Sequence, residues 1–202
     1  MRITNLKQGA KNPERVNVFV DGAFSFSLDV AQVVEFKLKV RMEISEEQLV
    51  EYKSASDFGK LYQRALEWVL VRPRSKKEAN DYLYKKIYEK KLNKDYIDLI
   101  INKLKNKNYL NDLSFAEWYV ENRFVKKGVS RKRLRMELIK KGVATDIIER
   151  VLDKRNDEEE ILKIIAKKRA KYTDDKLIAY LCRQGFSFEL AKELISRDEA
   201  NF

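Results

Sequence analysis

Three stretches of this chain share one cap-to-leucine spacing, and that recurrence constrains the fold more than any other feature. Ser75 to Leu83, Ser130 to Leu138 and Thr173 to Leu181 each set a helix-capping hydroxyl the same distance before a leucine. The match continues downstream. Leu138 is followed by Lys140-Lys-Gly142-Val143 and Leu181 by Arg183-Gln-Gly185-Phe186, and both then reach an apolar pair, Val151-Leu152 or Leu194-Ile195, at equal distance. The first unit fits with four extra residues, about one helical turn, so its middle helix can be a turn longer and keep its apolar face in phase. Repeats of this size bury their faces on one another, which predicts an elongated array of three-helix bundles, each packed mainly on its neighbour.

From Phe58 onward the apolar residues recur at helical spacing, as in Leu61, Ala65, Trp68 and Val69, or Phe115, Trp118 and Tyr119, or Ile161, Ile164 and Ile165. Breakers divide this region into nine short helices. Pro73 ends one, Ser75-Lys-Lys-Glu78 reads as a capping box, Asp112 can cap another, and Gly128, Gly142 and Gly185 follow helix ends. The segment before it reads differently. Val16, Val18 and Val20 alternate along a strand, Asp21-Gly22 marks a tight hairpin, and Phe24, Phe26 and Leu28 alternate on the return. Asp29 can cap a short helix through about Phe36, an extended stretch follows near Arg41 to Ile44, and Ser45-Glu-Glu-Gln48 opens another helix. The fold class is therefore mainly α: three tandem three-helix-bundle repeats (58–110, 111–155 and 156–202) preceded by a small α+β module (1–57) with a β-hairpin, with a hinge at Lys53 to Asp57.

Composition removes most catalytic chemistry. With no histidine the commonest general base and metal ligand is missing, and one cysteine builds neither a disulfide nor a zinc cluster. Cys182, in an apolar helical context, is expected to be a buried thiol in a reducing compartment. None of the six glycines forms a phosphate-cradling loop, so no nucleotide cofactor or metal is expected. Asp174-Asp175 and Asp157 to Glu160 stand at helix starts, where acidic residues complement the helix dipole. Neither an apolar signal segment at Met1 to Lys11 nor a membrane-spanning run is present, which points to a cytoplasmic, non-enzymatic protein.

Charge points to an anionic partner. The chain carries 43 Lys/Arg against 32 Asp/Glu, a formal +11, and residues 58–202 hold 35 against 23, a net of +12. Val120 to Val143 is the densest stretch, with Arg123, Lys126, Lys127, Arg131, Lys132, Arg133, Arg135, Lys140 and Lys141 against Glu121 and Glu137. Phosphate contact from such a patch would be sequence-independent and salt-sensitive. Reversing Arg131, Lys132, Arg133 and Arg135 to Glu is expected to weaken binding and leave folding intact. Trp68, Trp118 and Tyr119 fall among apolar positions and read as core, whereas the directions of Tyr62, Tyr82, Tyr84 and Tyr88 stay open.

Three segments resemble the regulatory protein RecX family. Arg72-Pro-Arg-Ser75 with Glu78 and Leu83 is similar to its Arg-x-Arg-Ser-x-x-Glu signature. Tyr109-Leu-Asn-Asp112, Phe115-Ala116, Arg123, Gly128, Arg133, Leu138 and Lys141-Gly-Val143 resemble its most distinctive stretch. Leu181-Cys-Arg-Gln-Gly185-Phe-Ser187 resembles the Arg-Gly-Phe-Ser of its last repeat. Lys91 and Asn108 stand where members usually carry helix-ending glycines, and Ser130 stands where a second glycine follows Gly128.

The resemblance implies three tandem three-helix repeats and a non-catalytic protein that binds RecA nucleoprotein filaments; the basic charge adds single-stranded DNA, and double-stranded DNA beside it, as expected partners of a monomer. By the resemblance, such a protein typically limits recombination, ATP hydrolysis and SOS coprotease activity. Candidate contacts are Arg72 and Arg74 in the first unit, the basic stretch above in the second, and Lys167, Lys168, Arg169 and Arg183 in the third. Three units in line would extend about 60 Å. The alternative is a helix-turn-helix DNA-binding regulator using Ser130 to Leu152, although Ala144 to Leu152 offers few base-reading residues. A nuclease would need a clustered acidic metal site, and none can be assembled from the sequence.

Overall fold

The computed structural model describes residues 1–10 and 12–199, and the side chains of residues 124–127 and 199 lie outside the described set. By packing the chain forms two units, Met1–Leu70 with Tyr82–Lys103, and Val71–Asp81 with the residues from Leu104 onward.

The first unit is built on an antiparallel three-stranded sheet in the order β1 (Ile3–Gln8), β2 (Arg15–Val20) and β3 (Ala23–Asp29). Asp21 (φ 49°) and Gly22 (φ 88°) both take the left-handed conformation that a two-residue hairpin turn requires. Asp29 caps α1 (Val30–Glu35) in a full capping box with Gln32, and Ser45 and Gln48 form a second one ahead of α2 (Glu46–Leu70). β1 is the strand the sequence pattern misses. Its register shifts between Ile3 and Asn5, which breaks the alternation, and only Ile3 is fully buried.

The hinge expected at Lys53 to Asp57 is instead the interior of α2, a single helix of 25 residues. The reason is tertiary. Ser56 is buried and its Oγ donates to the Ser27 carbonyl at 2.7 Å, tying the helix to the sheet, and Gln32 Nε2 of α1 donates to the Ala55 carbonyl at 3.0 Å. Tyr52 from the same helix closes a core with Ile3, Val18, Phe26 and Leu28.

From α2 onward nine α-helices are found among the described residues, the others being α3 (Lys76–Lys90), α4 (Tyr96–Asn106), α5 (Asp112–Lys127), α6 (Arg131–Lys140), α7 (Thr145–Leu152), α8 (Asp157–Lys168), α9 (Asp174–Arg183) and α10 (Phe188–Glu199). α3 has 15 residues against ten in α6 and α9, so the extra residues of the first repeat lengthen its middle helix. Lys91 (φ 53°) and Asn108 (φ 57°) are left-handed, as Gly128, Gly142 and Gly185 are.

The second unit contains two equivalent cores. α5 to α7 enclose Phe115, Val120, Leu134, Leu138, Val143, Ile148 and Leu152; α8 to α10 enclose Ile161, Ile165, Leu177, Leu181, Phe186, Ala191 and Ile195. Leu134, Leu138, Val143, Ile148 and Leu152 thus have counterparts at Leu177, Leu181, Phe186, Ala191 and Ile195, all at one sequence offset. Burying a leucine in such a core contributes about 1.5–3 kcal/mol. Trp118 and Tyr119 are partly buried and pack on the first of these cores.

Three local readings are corrected. Asp112 is the first residue of α5 and not its cap; Asn111 Oδ1 accepts from the backbone N–H groups of Leu113 and Ser114. Ser75 does cap α3 by accepting from the Glu78 N–H at 3.1 Å, but the Glu78 carboxylate turns away to other partners, so the box is half formed. Cys182 is exposed, because the buried face of α9 is held by Leu177 and Leu181 and residue 182 points off it.

Candidate partner-binding groove

In the second unit the repeats meet through the ends of their middle helices. At one junction the start of α3 takes two inputs. Asp112 Oδ1 accepts from the Lys76 N–H at 2.8 Å, and Lys77 Nζ donates to the Lys140 carbonyl at the end of α6 at 3.1 Å. At the next junction Asp157 Oδ1 accepts from the Arg131 N–H at 2.8 Å, the Ser130 N–H donates to the Gln184 carbonyl at 3.2 Å, and Arg133 Nη1 donates to the Arg183 carbonyl at 2.5 Å. At both junctions an aspartate thus takes an N–H at one helix start and a cationic side chain takes a carbonyl at another helix end, and at the second the Ser130 N–H also meets the Gln184 carbonyl directly. Asp157 at a helix start therefore serves a neighbouring helix as well as its own dipole, while the buried Glu160 pairs with Arg155 at 3.3 Å.

These junctions consume much of the basic patch. Glu137 accepts from Arg123 Nε and Nη2 at 2.9 and 2.6 Å, from Arg133 Nε at 3.2 Å and from the Tyr119 hydroxyl at 2.9 Å. The hydrogen bonds from Arg123 lead in holding the Glu137 carboxyl down to about 2, against an opposing push from burial. The same acid raises the Arg123 guanidinium, and burial followed by Glu137 raises Tyr119. Glu78 accepts from Arg72 at 3.0 and 3.2 Å and from Lys141 at 2.7 Å, and these bonds overcome burial to leave its carboxyl below the ordinary range. Arg72 also lies 4.9 Å over the Trp118 ring.

The other candidates divide further. Burial, more than the neighbouring Arg72, lowers the Arg74 guanidinium. Arg135 pairs with Glu149 at 2.9 Å, Arg169 pairs with Asp174 and Asp198, and Lys168 stands 5.1 and 4.5 Å over Tyr172 and Tyr180. Lys132, Lys140, Lys167 and Arg183 are exposed and Arg131 is half-buried, while the side chains of Lys126 and Lys127 lie outside the described residues. Reversing Arg133 or Arg135 would therefore disrupt ion pairs within the fold, and among the described candidates the exposed charges left for a partner are Lys132, Lys140, Lys167 and Arg183.

Between α6 and α9 Lys132 and Lys140 border a groove of about 530 Å³ lined by Lys132, Arg133, Met136, Glu137, Lys140, Cys182, Gly185 and Phe186. Lys132, Met136 and Lys140 recur every four residues along α6 and share one face. Met136 is about half exposed there and, with Phe186, gives an apolar floor between two cations. The sequence pattern missed this lining, although a methionine spaced at four residues between two lysines was its local signal. Among the described residues no group of three or more Cys, Asp or Glu side chains could hold a metal, and no helix is long and apolar enough to cross a membrane.

Modules that pass helix termini from one to the next, behind an N-terminal antiparallel sheet, place this chain among helical-repeat proteins. Residues 1–45 match the model of the regulatory protein RecX N-terminal domain, and residues 111–152 that of the RecX second three-helix domain. A regulatory protein RecX from Listeria monocytogenes is 33% identical over 202 residues, covering 95% of this chain and 74% of the relative. That from Bacillus velezensis is 34% identical over 207 residues, covering 98% and 77%. The chain belongs to the regulatory protein RecX family. A crystal structure of a regulatory protein RecX shares its fold, with a TM-score of 0.71 at 21% identity over 96% of this chain and 98% of that one. RecX from Lactobacillus salivarius superposes with a TM-score of 0.55 at 27% identity, over 71% of this chain and 97% of that one.

Proposed function

We propose that this protein binds RecA nucleoprotein filaments and restrains them, lowering strand exchange, ATP hydrolysis and coprotease activity, without catalysis of its own. The observation that carries the reading is membership of a regulatory family along nearly the whole chain. The groove between α6 and α9 supports it, because an apolar floor flanked by Lys132 and Lys140 suits an acidic protein or phosphate surface. Contacts from successive repeats would make the grip multivalent. We assign the three repeats to 58–110, 111–155 and 156–202, and the leading contacts to Lys132, Lys140 and Arg183, with Arg131 and Lys167 beside them.

The test is single-stranded-DNA-stimulated ATP hydrolysis by the cognate RecA, titrated with this protein. Inhibition well below one copy per RecA monomer is expected, and K132E/K140E/R183E is expected to raise the half-inhibitory concentration at least tenfold with an unchanged melting temperature. No inhibition by the parent chain, together with tight binding to one particular duplex, would replace this reading by a helix-turn-helix regulator. α7 argues against that alternative, since Thr145, Asp146 and Glu149 dominate its exposed positions and leave Arg150 as its one basic residue.

A further inference from the structure

Position by position, the groove face of α6 differs from what the other repeats carry. Two, six and ten residues after Ser75, Ser130 and Thr173 stand Lys77, Asp81 and Lys85 in the first repeat, Lys132, Met136 and Lys140 in the second, and Asp175, Ala179 and Arg183 in the third. A spacing of four keeps each set on one helix face. The second repeat alone sets a bulky apolar side chain between two cations; the first interrupts its lysines with an acid and the third opens with one. Met136 is 53% exposed, Lys132 and Lys140 are exposed on either side of it, and Phe186 lines the opposite side of the groove. Glu137, the acid of the lining, is already held by Arg123, Arg133 and Tyr119, so it does not cancel the two lysines.

The spacing selects the conformation of an occupant. Four helical residues rise about 6 Å, so Lys132, Met136 and Lys140 form a row with steps of about 6 Å. In an extended chain every second side chain points the same way and recurs at about 6.6–6.8 Å, which sets residues i, i+2 and i+4 over the three in turn. A partner helix repeats the interval at i, i+4 and i+8, but a helix about 10 Å across and 12 Å long fills roughly 900 Å³. The groove holds about 530 Å³. A phosphate backbone suits the row less well, because its charges follow every ~3.4 Å along a strand and some stand over Met136, where no cation meets them.

Taking the groove as the partner-binding site argued for above, we propose that its ligand is an extended acidic segment of protein with the pattern acid-x-apolar-x-acid. Its carboxylates accept from the Lys132 and Lys140 ammonium groups, and its apolar side chain rests on Met136 and Phe186. Sliding the segment by one residue turns all three side chains away, so register matters as much as charge. An unbranched thioether adapts to many shapes, which leaves the middle residue free to vary among apolar types.

The test is fluorescence anisotropy of the labelled peptide Gly-Ser-Glu-Ser-Leu-Ser-Glu-Ser-Gly, titrated with the full chain in the absence of RecA. Saturable binding below about 1 mM is expected. Moving the leucine next to one glutamate, at the same composition and charge, is expected to weaken binding at least fivefold. Met136→Asp, which places the first repeat's residue at this exposed position, is expected to weaken it at least tenfold, and K132E/K140E to abolish it, both with an unchanged melting temperature. Equal affinity for the two peptides, or unchanged affinity in Met136→Asp, would overturn the proposal, as would displacement by inorganic polyphosphate at equal charge concentration, which would mark a phosphate site. Absence of peptide binding, while inhibition of RecA ATP hydrolysis still depends on Lys132 and Lys140, would remove the motif and leave the filament reading standing. Peptide binding without inhibition would do the reverse.

Discussion

The two junctions of the second unit repeat one backbone arrangement with different side chains. Ser75 and Ser130 are both fully buried caps, and Gly142 packs against Lys77 in the first turn after one as Gly185 packs against Ser130 and Arg133 at the other. The third helical position is Glu78 at one junction and Arg133 at the other, and it meets Lys141 or the Arg183 carbonyl respectively. Both junctions set a cation on a helix C-terminus, Lys77 on the Lys140 carbonyl and Arg133 on the Arg183 carbonyl, and the first adds the Glu78–Lys141 ion pair. Arg133 is then steadied by Glu137, which also takes Arg123 and Tyr119. The lesson is that helix termini and glycine turns define the repeat, while its charges are interchangeable provided each end is satisfied.

Closest packing offers the strongest way to break this equivalence. A Cβ on Gly185 (φ 94°) would stand 2.6 Å from the Oγ of the buried cap Ser130, and one on Gly142 (φ 76°) 2.8 Å from the Cβ of the exposed Lys77. Gly185→Ala and Gly142→Ala are each expected to destabilise by about 2–4 kcal/mol, from left-handed strain plus overpacking, since the Ser130 Oγ is held in a buried cap and the Lys77 Cβ is fixed to its helix backbone. Urea unfolding measures both; a much smaller loss at one of them would show that its junction can open to take the methyl group.

Removing the acids comes next. Glu137→Gln is expected to cost about 2 kcal/mol and Glu78→Gln about 1 kcal/mol, because Glu137 satisfies three donor side chains and Glu78 two. A larger loss for Glu78 in the same assay would make the first junction the stronger. The acid limb gives an independent reading. Glu137 titrates near 2 when folded and near 4.5 when unfolded, so its contribution is complete above about 4.5 and fades as the pH falls towards 2. Carboxyl chemical shifts followed against pH check this, and a Glu137 midpoint above 4 would remove the Arg123 contact from the account.

The smallest effect compares Lys91 with its glycine counterparts. Lys91 (φ 53°) occupies the turn position that Gly142 and Gly185 hold in the other repeats. Lys91→Gly is expected to stabilise by about 0.5 kcal/mol, left-handed strain relieved less the added chain entropy, measured as a small rise in urea midpoint.

How much of this was legible beforehand depends on how far apart the interacting residues are. The hairpin at Asp21-Gly22, the cap at Ser130, the left-handed Asn108 and the repeat cores all follow from neighbours a few residues distant. β1 escaped because a register shift broke its pattern, and the expected hinge escaped because Ser56 and Ala55 are claimed by Ser27 and Gln32 from the sheet and α1. Of the basic patch, its existence was legible and its availability was not. Arg72, Arg123, Arg133 and Lys141 look as free in the sequence as Lys132 and Lys140 do.

The amino-acid sequence by itself determined the helical recurrence and most of the helix ends, Ser130 and Gly142 among them, since caps, turns and apolar periods act within one or two turns of chain, whereas the continuity of α2 through 53–57 needed the sheet. Tertiary structure alone decided which cations are spent inside the fold and which face outward. Lys141 meets Glu78 across 63 residues and Arg133 meets the Arg183 carbonyl across 50. A charge has no preferred partner until folding brings one within a few ångströms and excludes the water that would otherwise solvate it.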